Sequence, residues 1–290
     1  MKNNPTSSQV PVLTALSTFN AMVRKELILM ARYPVNFIAS FGQVFLIVII
    51  FTLAGSMFFN APAGQDALEA SGSAGSPSGV VVYGFILFMF LSDTMWTIGY
   101  NVRNEQVQGT LEQLYLSPAS KFASLVARVA NTLIWTGLLS ITGAILMSWM
   151  IGDLPVENPL LGMYLLVMTL SGTFGIGFAF AALTLYLQET AQTVANLLQF
   201  AIIVVCAIFF PFSALPAAVR AVAYVLPPAY AVDAFRSALM GFPPGFPELL
   251  PFEIEFWIVT AFGLLMPLIG YGLYRRAEDA ARKGGSLSAY

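Results

Sequence analysis

The chain has 290 residues, of which 58% are apolar and only 10% charged, with a mean hydropathy of +0.77. So little charge cannot clothe a soluble globule of this length, so the composition specifies an integral membrane protein. The formal net charge of -2 carries no weight, because in a membrane protein the placement of charge matters and its sum does not.

Missing residue types narrow the chemistry further. There is no histidine, which removes Ser-His and Cys-His nucleophile pairs, His-ligated zinc and His-ligated haem together. Cys206 is the single cysteine and lies in an apolar run, so it reads as a small core residue. No basic patch interleaved with aromatics points to nucleic acid. No Gly-x-x-x-x-Gly-Lys-Ser/Thr loop occurs, so no ATP-binding site is expected on this chain.

The N-terminal residues to Pro11 are polar, with no apolar core of a signal peptide behind the basic start. From Val12 to Arg32 apolar residues recur at Leu13, Leu16, Phe19, Val23, Leu27 and Met30, with Arg24, Lys25 and Glu26 on the other side. This predicts an amphipathic helix along the membrane interface; a soluble helix packed on a partner is the other reading. Asn36 to Phe59 carries no charge and is long enough for a first crossing. Asn60 to Gly79 is rich in Gly, Ala, Ser and Pro and reads as an external loop.

Val80 to Gly99 is the second crossing, Phe122 to Ile151 the third, Leu160 to Leu187 the fourth and Ala191 to Phe210 the fifth. Ser171, Gly172, Gly175 and Gly177 offer the fourth a small-residue packing surface. The proline-rich stretch from Phe212 to Phe252 contains two apolar helical pieces, Ala217 to Val225 and Ala231 to Met240, each too short to cross. They are expected to be re-entrant helices, dipping into the outer leaflet against the bundle. Phe256 to Tyr274 is the sixth crossing. The expected organisation is a cytoplasmic tail and interfacial helix over 1–35, a six-helix membrane domain over 36–274 and a cytoplasmic tail over 275–290.

With six crossings, eleven of the thirteen Lys and Arg fall on one side: Lys2, Arg24, Lys25, Arg32, Arg103, Lys121, Arg128, Arg275, Arg276, Arg282 and Lys283. Only Arg220 and Arg236 fall on the other. Both termini and the polar stretch from Arg103 to Pro118 are therefore expected in the cytoplasm. In that stretch Gly109 breaks one helix and Thr110 caps the next, Leu111 and Leu114 share a face, and Ser117-Pro118 opens the following helix. From pattern alone it is either a solvated connector or a docking helix.

An Arg, then a Glu, then Gly-Thr-Leu-Glu-Gln-Leu followed by Ser-Pro resembles the cytoplasmic loop of ABC-2 type permeases, the membrane subunits of ATP-driven exporters. A second stretch is similar to the segment before that family's last membrane helix: Phe210-Pro211-Phe212-Ser213-Ala214-Leu215-Pro216, then Leu226-Pro227-Pro228-Ala229-Tyr230-Ala231-Val232-Asp233-Ala234-Phe235-Arg236, ending Met240-Gly241. The resemblance runs from about Leu13 to Arg276. It implies a coupling helix between the second and third crossings that docks on an ATP-binding cassette ATPase subunit. Arg103, Glu105, Gly109, Thr110, Leu111, Glu112, Leu114, Ser117 and Pro118 carry that role, with Leu111 and Leu114 as apolar anchors. It further implies a homodimer or a heterodimer with a like permease, ATP and Mg bound by the partner subunit and none by this chain, residence in the cell's inner membrane, and export of an amphipathic or lipid-linked substrate.

Polar residues inside the crossings are the remaining candidates. Asp93, with Trp96 and Tyr100 on the same side, has three readings: a structural hydrogen-bonding group, a substrate or gate contact, or a proton-coupling carboxylate. The last belongs to a competing function, a self-powered secondary transporter or channel. Gln192, Asn196 and Gln199 follow one another on one face of the fifth crossing, as glue between helices or as lining of a pathway.

Overall fold

Proline stands at or just before the start of most described helices. The computed structural model describes residues 77–107, 121–151, 155–187 and 191–283, with scattered positions between 20 and 57. The order is α1 (Pro77–Val107), α2 (Lys121–Ile151), α3 (Pro159–Leu187), α4 (Ala191–Val205), a 3-10 turn (Phe212–Ala214), α5 (Ala217–Ala223), α6 (Pro227–Met240) and α7 (Phe252–Lys283). No strand occurs among the described residues. The interfacial helix expected over Val12 to Arg32, the first crossing and the external loop fall largely outside the described residues.

Two described stretches, Pro159–Leu183 and Phe252–Ala277, are long and apolar enough to cross a bilayer, and shorter apolar stretches run over Gly79–Thr94, Ile134–Trp149 and Asn196–Val205. The outward faces are greasy. Trp149 is 86% exposed and Leu160 87%, and α7 presents Trp257, Leu264 and Leu268 outward. Surfaces of that kind belong against lipid or another apolar partner.

Helix directions follow from which residues meet. Along α3 and α7, Tyr164 stacks on Phe256, Ser171 bonds Gly263, and Phe178 packs on Tyr271 and Tyr274. Both sequences advance together, so the two helices are parallel. Asp93 of α1 meets Thr136 of α2 while Phe85 meets Gly143, so that pair is antiparallel. The pair α1 and α4 is antiparallel too, with Ser92 against Gln199 and Phe88 against Phe209. Tyr83 donates to the Pro155 carbonyl just before α3, which sets α1 and α3 the same way. Thus α1, α3 and α7 run in one direction, and α2 and α4 return.

Closest approach occurs where α3 meets α7. A Cβ on Gly175 would lie 2.3 Å from the Met266 main chain, and one on Gly270 would lie 2.0 Å from the Gly175 oxygen. Pro267, inside α7, cannot donate to the carbonyl of Gly263 one turn earlier. The Ser171 hydroxyl donates to that carbonyl instead, at 2.7 Å, so the kink-prone site is satisfied from the neighbouring helix.

The largest core gathers at the end where α1, α3 and α7 begin. Its hub is α6, in which every residue from Pro228 to Met240 is buried. Two prolines open α6. Gly241, at φ 77°, closes it, with the Phe242 N–H returning to the Ser237 carbonyl at 2.8 Å. Leu239 fills the space over Gly162 of α3, and Tyr83 of α1 packs edge-on against Phe235. A smaller cluster joins Val81, Phe85 and Met89 of α1 to Leu139 and Met147 of α2 and to Val44.

Three boundaries differ most from the sequence expectation. The second crossing continues as helix through Arg103 and Glu105 to Val107, and α7 absorbs the expected tail as far as Lys283. The fifth crossing stops at Val205 rather than Phe210. There Ala207 takes φ 46°, the Ile208 N–H bonds the Ile203 carbonyl at 3.3 Å, and the Ala207 N–H bonds Val204 at 3.2 Å. This is a Schellman ending with alanine in the place glycine usually fills.

Candidate functional site

Polar groups inside an apolar bundle need partners, and here they gather at two levels. The first is the middle of α1. Thr136 of α2 donates to the Asp93 Oδ2, and Gln199 Nε2 of α4 donates to Ser92 Oγ. Two adjacent α1 residues thus tie α1 to two different helices. Asp93 and Gln199 are both partly buried, as is Asn196 one turn along α4. The side chains of Trp96 and Gln192 lie outside the described residues. Asp93 and Gln199, expected separately, are brought to one level here.

Beside this seam, α1, α2 and α3 enclose an apolar groove of about 590 Å³, lined among others by Ile86, Phe90, Ser140, Ile141, Met163 and Leu166. Its size falls within the range of small-molecule sites. The lining offers hydroxyls and hydrocarbon and no charge.

Of the expected docking residues, Arg103 and Glu105 lie on the last turns of α1. Gly109, Thr110, Leu111, Glu112, Leu114, Ser117 and Pro118 fall outside the described residues.

The second level is the buried cluster around α6, whose side-chain roles the sequence reading missed. Arg236 is fully buried. It donates to the carbonyls of Ala207 and Ile208, and to that of Phe210 at 3.3 Å. These carbonyls follow the end of α4, where a cation is favourable. Gly84 of α1 makes the room, since a Cβ there would lie 1.6 Å from the Ile208 oxygen. Burial draws the guanidinium down to about 10, which leaves it a cation at neutral pH.

Asp233, also fully buried, accepts the N–H groups of Glu248 and Leu249 on Oδ2 at 2.7 and 2.8 Å. Glu248 in turn accepts the N–H groups of Phe212 and Ser213 at 3.0 and 2.8 Å and so caps the 3-10 turn. Glu255, in the first turn of α7, accepts the Leu250 N–H at 3.1 Å. Burial, followed by the charge of Glu248, pushes the Asp233 carboxyl above the usual carboxylate range. The signal in the sequence was Asp233 and Arg236 three residues apart in an otherwise apolar helix. Among the described residues no group of His, Cys, Asp and Glu is arranged to hold a metal ion.

These features sit within a recognisable family frame. The model of the family described as ABC-2 type transporter matches residues 17–240, a span that takes in the first signature stretch and all of the second but Gly241, and ends with the last residue of α6. No curated protein matches the chain. With well over half of its length matched, the chain belongs to the ABC-2 type transporter family and is a membrane component of a transporter.

Proposed function

We propose that this chain is the permease subunit of an ATP-driven exporter, passive in itself and moved by an ATP-binding cassette subunit that docks on residues 103 to 118. The observation that carries the reading is the continuity of α1. It runs unbroken from Pro77 to Val107, about 46 Å of helix at 1.5 Å per residue. Its first turns are locked into the core around α6 through Val80, Tyr83 and Leu87, and its last turns carry Arg103 and Glu105. A push on the docking segment therefore acts directly on the opposite end of the bundle.

The alternating helix directions support six crossings with both termini in the cytoplasm of the inner membrane, the first crossing preceding α1. A two-fold pathway needs a second permease, alike or related. ATP and Mg bind the partner, consistent with a sequence that has no phosphate loop. The uncharged groove between α1, α2 and α3 favours an amphipathic or lipid-linked cargo over a small ion.

The test is Leu114→Asp. A carboxylate on the docking face should leave membrane insertion intact, while ATPase co-purification and transport fall at least about tenfold, the effect of losing roughly 1.4 kcal/mol of contact. Unchanged partner binding and unchanged transport would sink the reading.

A further inference from the structure

Glu255 and Asp233 come from different elements, the first turn of α7 and the middle of α6, and both are wholly removed from solvent. Each has one oxygen satisfied by main-chain N–H groups, Oδ2 of Asp233 and Oε1 of Glu255. The other two, Asp233 Oδ1 and Glu255 Oε2, are buried with no donor from any described group. The two carboxyls take the N–H groups of consecutive residues, Leu249 and Leu250, which sets them side by side. Two carboxylates have no hydrogen to place between them, and like charges at that separation in a dry site repel strongly.

We propose that Asp233 and Glu255 form a proton-binding site, one proton being held between Oδ1 and Oε2 and fastening α6 to the start of α7. Charge balance supports it. Among the described residues the fully buried acidic and basic side chains are Asp233, Arg236 and Glu255, and a single proton on the acid pair makes their sum zero.

The other titratable groups around the pair do not supply that hydrogen. Arg236 directs Nη1 and Nη2 to the carbonyls beyond α4, and its buried Nε bonds neither acid. Glu248, on the connection before α7, is an acceptor held by Phe212 and Ser213. The Tyr230 hydroxyl donates to the Tyr224 carbonyl beside α5 at 2.6 Å, and Cys206 faces Arg236. The upward displacement of the Asp233 carboxyl has the same sense. The site does not depend on the transport reading, because it concerns how two elements of this chain are joined.

The sign of the linkage is fixed. In the unfolded chain both acids ionise near pH 4, so above that the folded state binds more protons. Stability then falls as pH rises, until the shared proton leaves the folded pair, and levels off beyond. Thermal unfolding of the full-length chain in detergent should therefore show a midpoint that drops between neutral and alkaline pH.

Glu255→Gln supplies an amide N–H to Asp233 Oδ1 without a proton, so it should keep the neutral-pH midpoint and lose this drop. Glu255→Ala should lower the midpoint at every pH by about 5 °C or more. An infrared difference spectrum of the wild type between neutral and alkaline pH should show loss of a protonated-carboxyl stretch, absent in Glu255→Gln. A wild-type midpoint that ignores pH but rises with sodium would overturn the proposal in favour of a bound cation. So would Glu255→Gln falling as far as Glu255→Ala, or no protonated-carboxyl band in the wild type.

Discussion

Arg236 shows how much one side chain settles in this protein. Its guanidinium satisfies carbonyls on the connection after α4, carries the only fully buried positive charge among the described residues, and requires a glycine at position 84. Arg236→Met is therefore expected to cost about 3–5 kcal/mol, because it strands three carbonyls and leaves Asp233 without its countercharge. Arg236→Lys, with fewer and less forked donors, should recover part of that. The check is detergent-phase thermal unfolding of the three proteins side by side; a Met variant as stable as the wild type would refute the role. In the sequence, Arg236 stood out as one of two basic residues on the less basic side and as part of the second family-like stretch. Its partners were illegible there, since they are main-chain carbonyls contributed from 26 to 29 residues away.

Elements were more legible than their ends. The apolar runs that became α1, α2, α3 and α7, and the two short pieces between prolines, stand out from hydropathy and proline placement alone. The overrun of α4 has a physical cause: Ala201 to Phe210 is uniformly apolar, and the turn uses an alanine at φ 46°, a conformation that nothing in the local composition announces. The small residues of α3 were read as a packing surface, and the contact proves to be backbone against backbone. Gly175→Val is therefore expected to destabilise by about 3 kcal/mol or more, since the neighbouring atoms belong to the Met266 and Pro267 main chain and cannot rotate away. Gly272→Ala provides the control, having nothing within 4 Å of the added carbon; it should be neutral or up to about 1 kcal/mol stabilising through helix propensity. Equal effects of the two substitutions in an unfolding experiment would contradict the close α3–α7 contact.

At the scale of the whole molecule the question is where the work comes from. Asp93 hydrogen-bonds Thr136, a geometry that an amide can keep by presenting its oxygen to the hydroxyl. In reconstituted transport with the ATPase partner, Asp93→Asn should lower the rate only about two- to threefold, less than 1 kcal/mol, and leave it indifferent to an imposed proton gradient. Abolished transport in the variant, coupled with gradient dependence in the wild type, would shift the energy source to this chain.

One feature of α1 bears on how such work is delivered. Ser92 and Asp93 lie at the midpoint of the 31-residue helix, and they are the residues gripped by α4 on one side and α2 on the other. A stiff rod pinned at its centre behaves as a seesaw. A tilt of about 5° about that fulcrum would carry each tip roughly 2 Å, in opposite directions. A small inward nudge at Val107 would thus arrive at Val80 and Tyr83 as an outward swing of about 1 to 1.5 Å, reversed in sense without any further moving part.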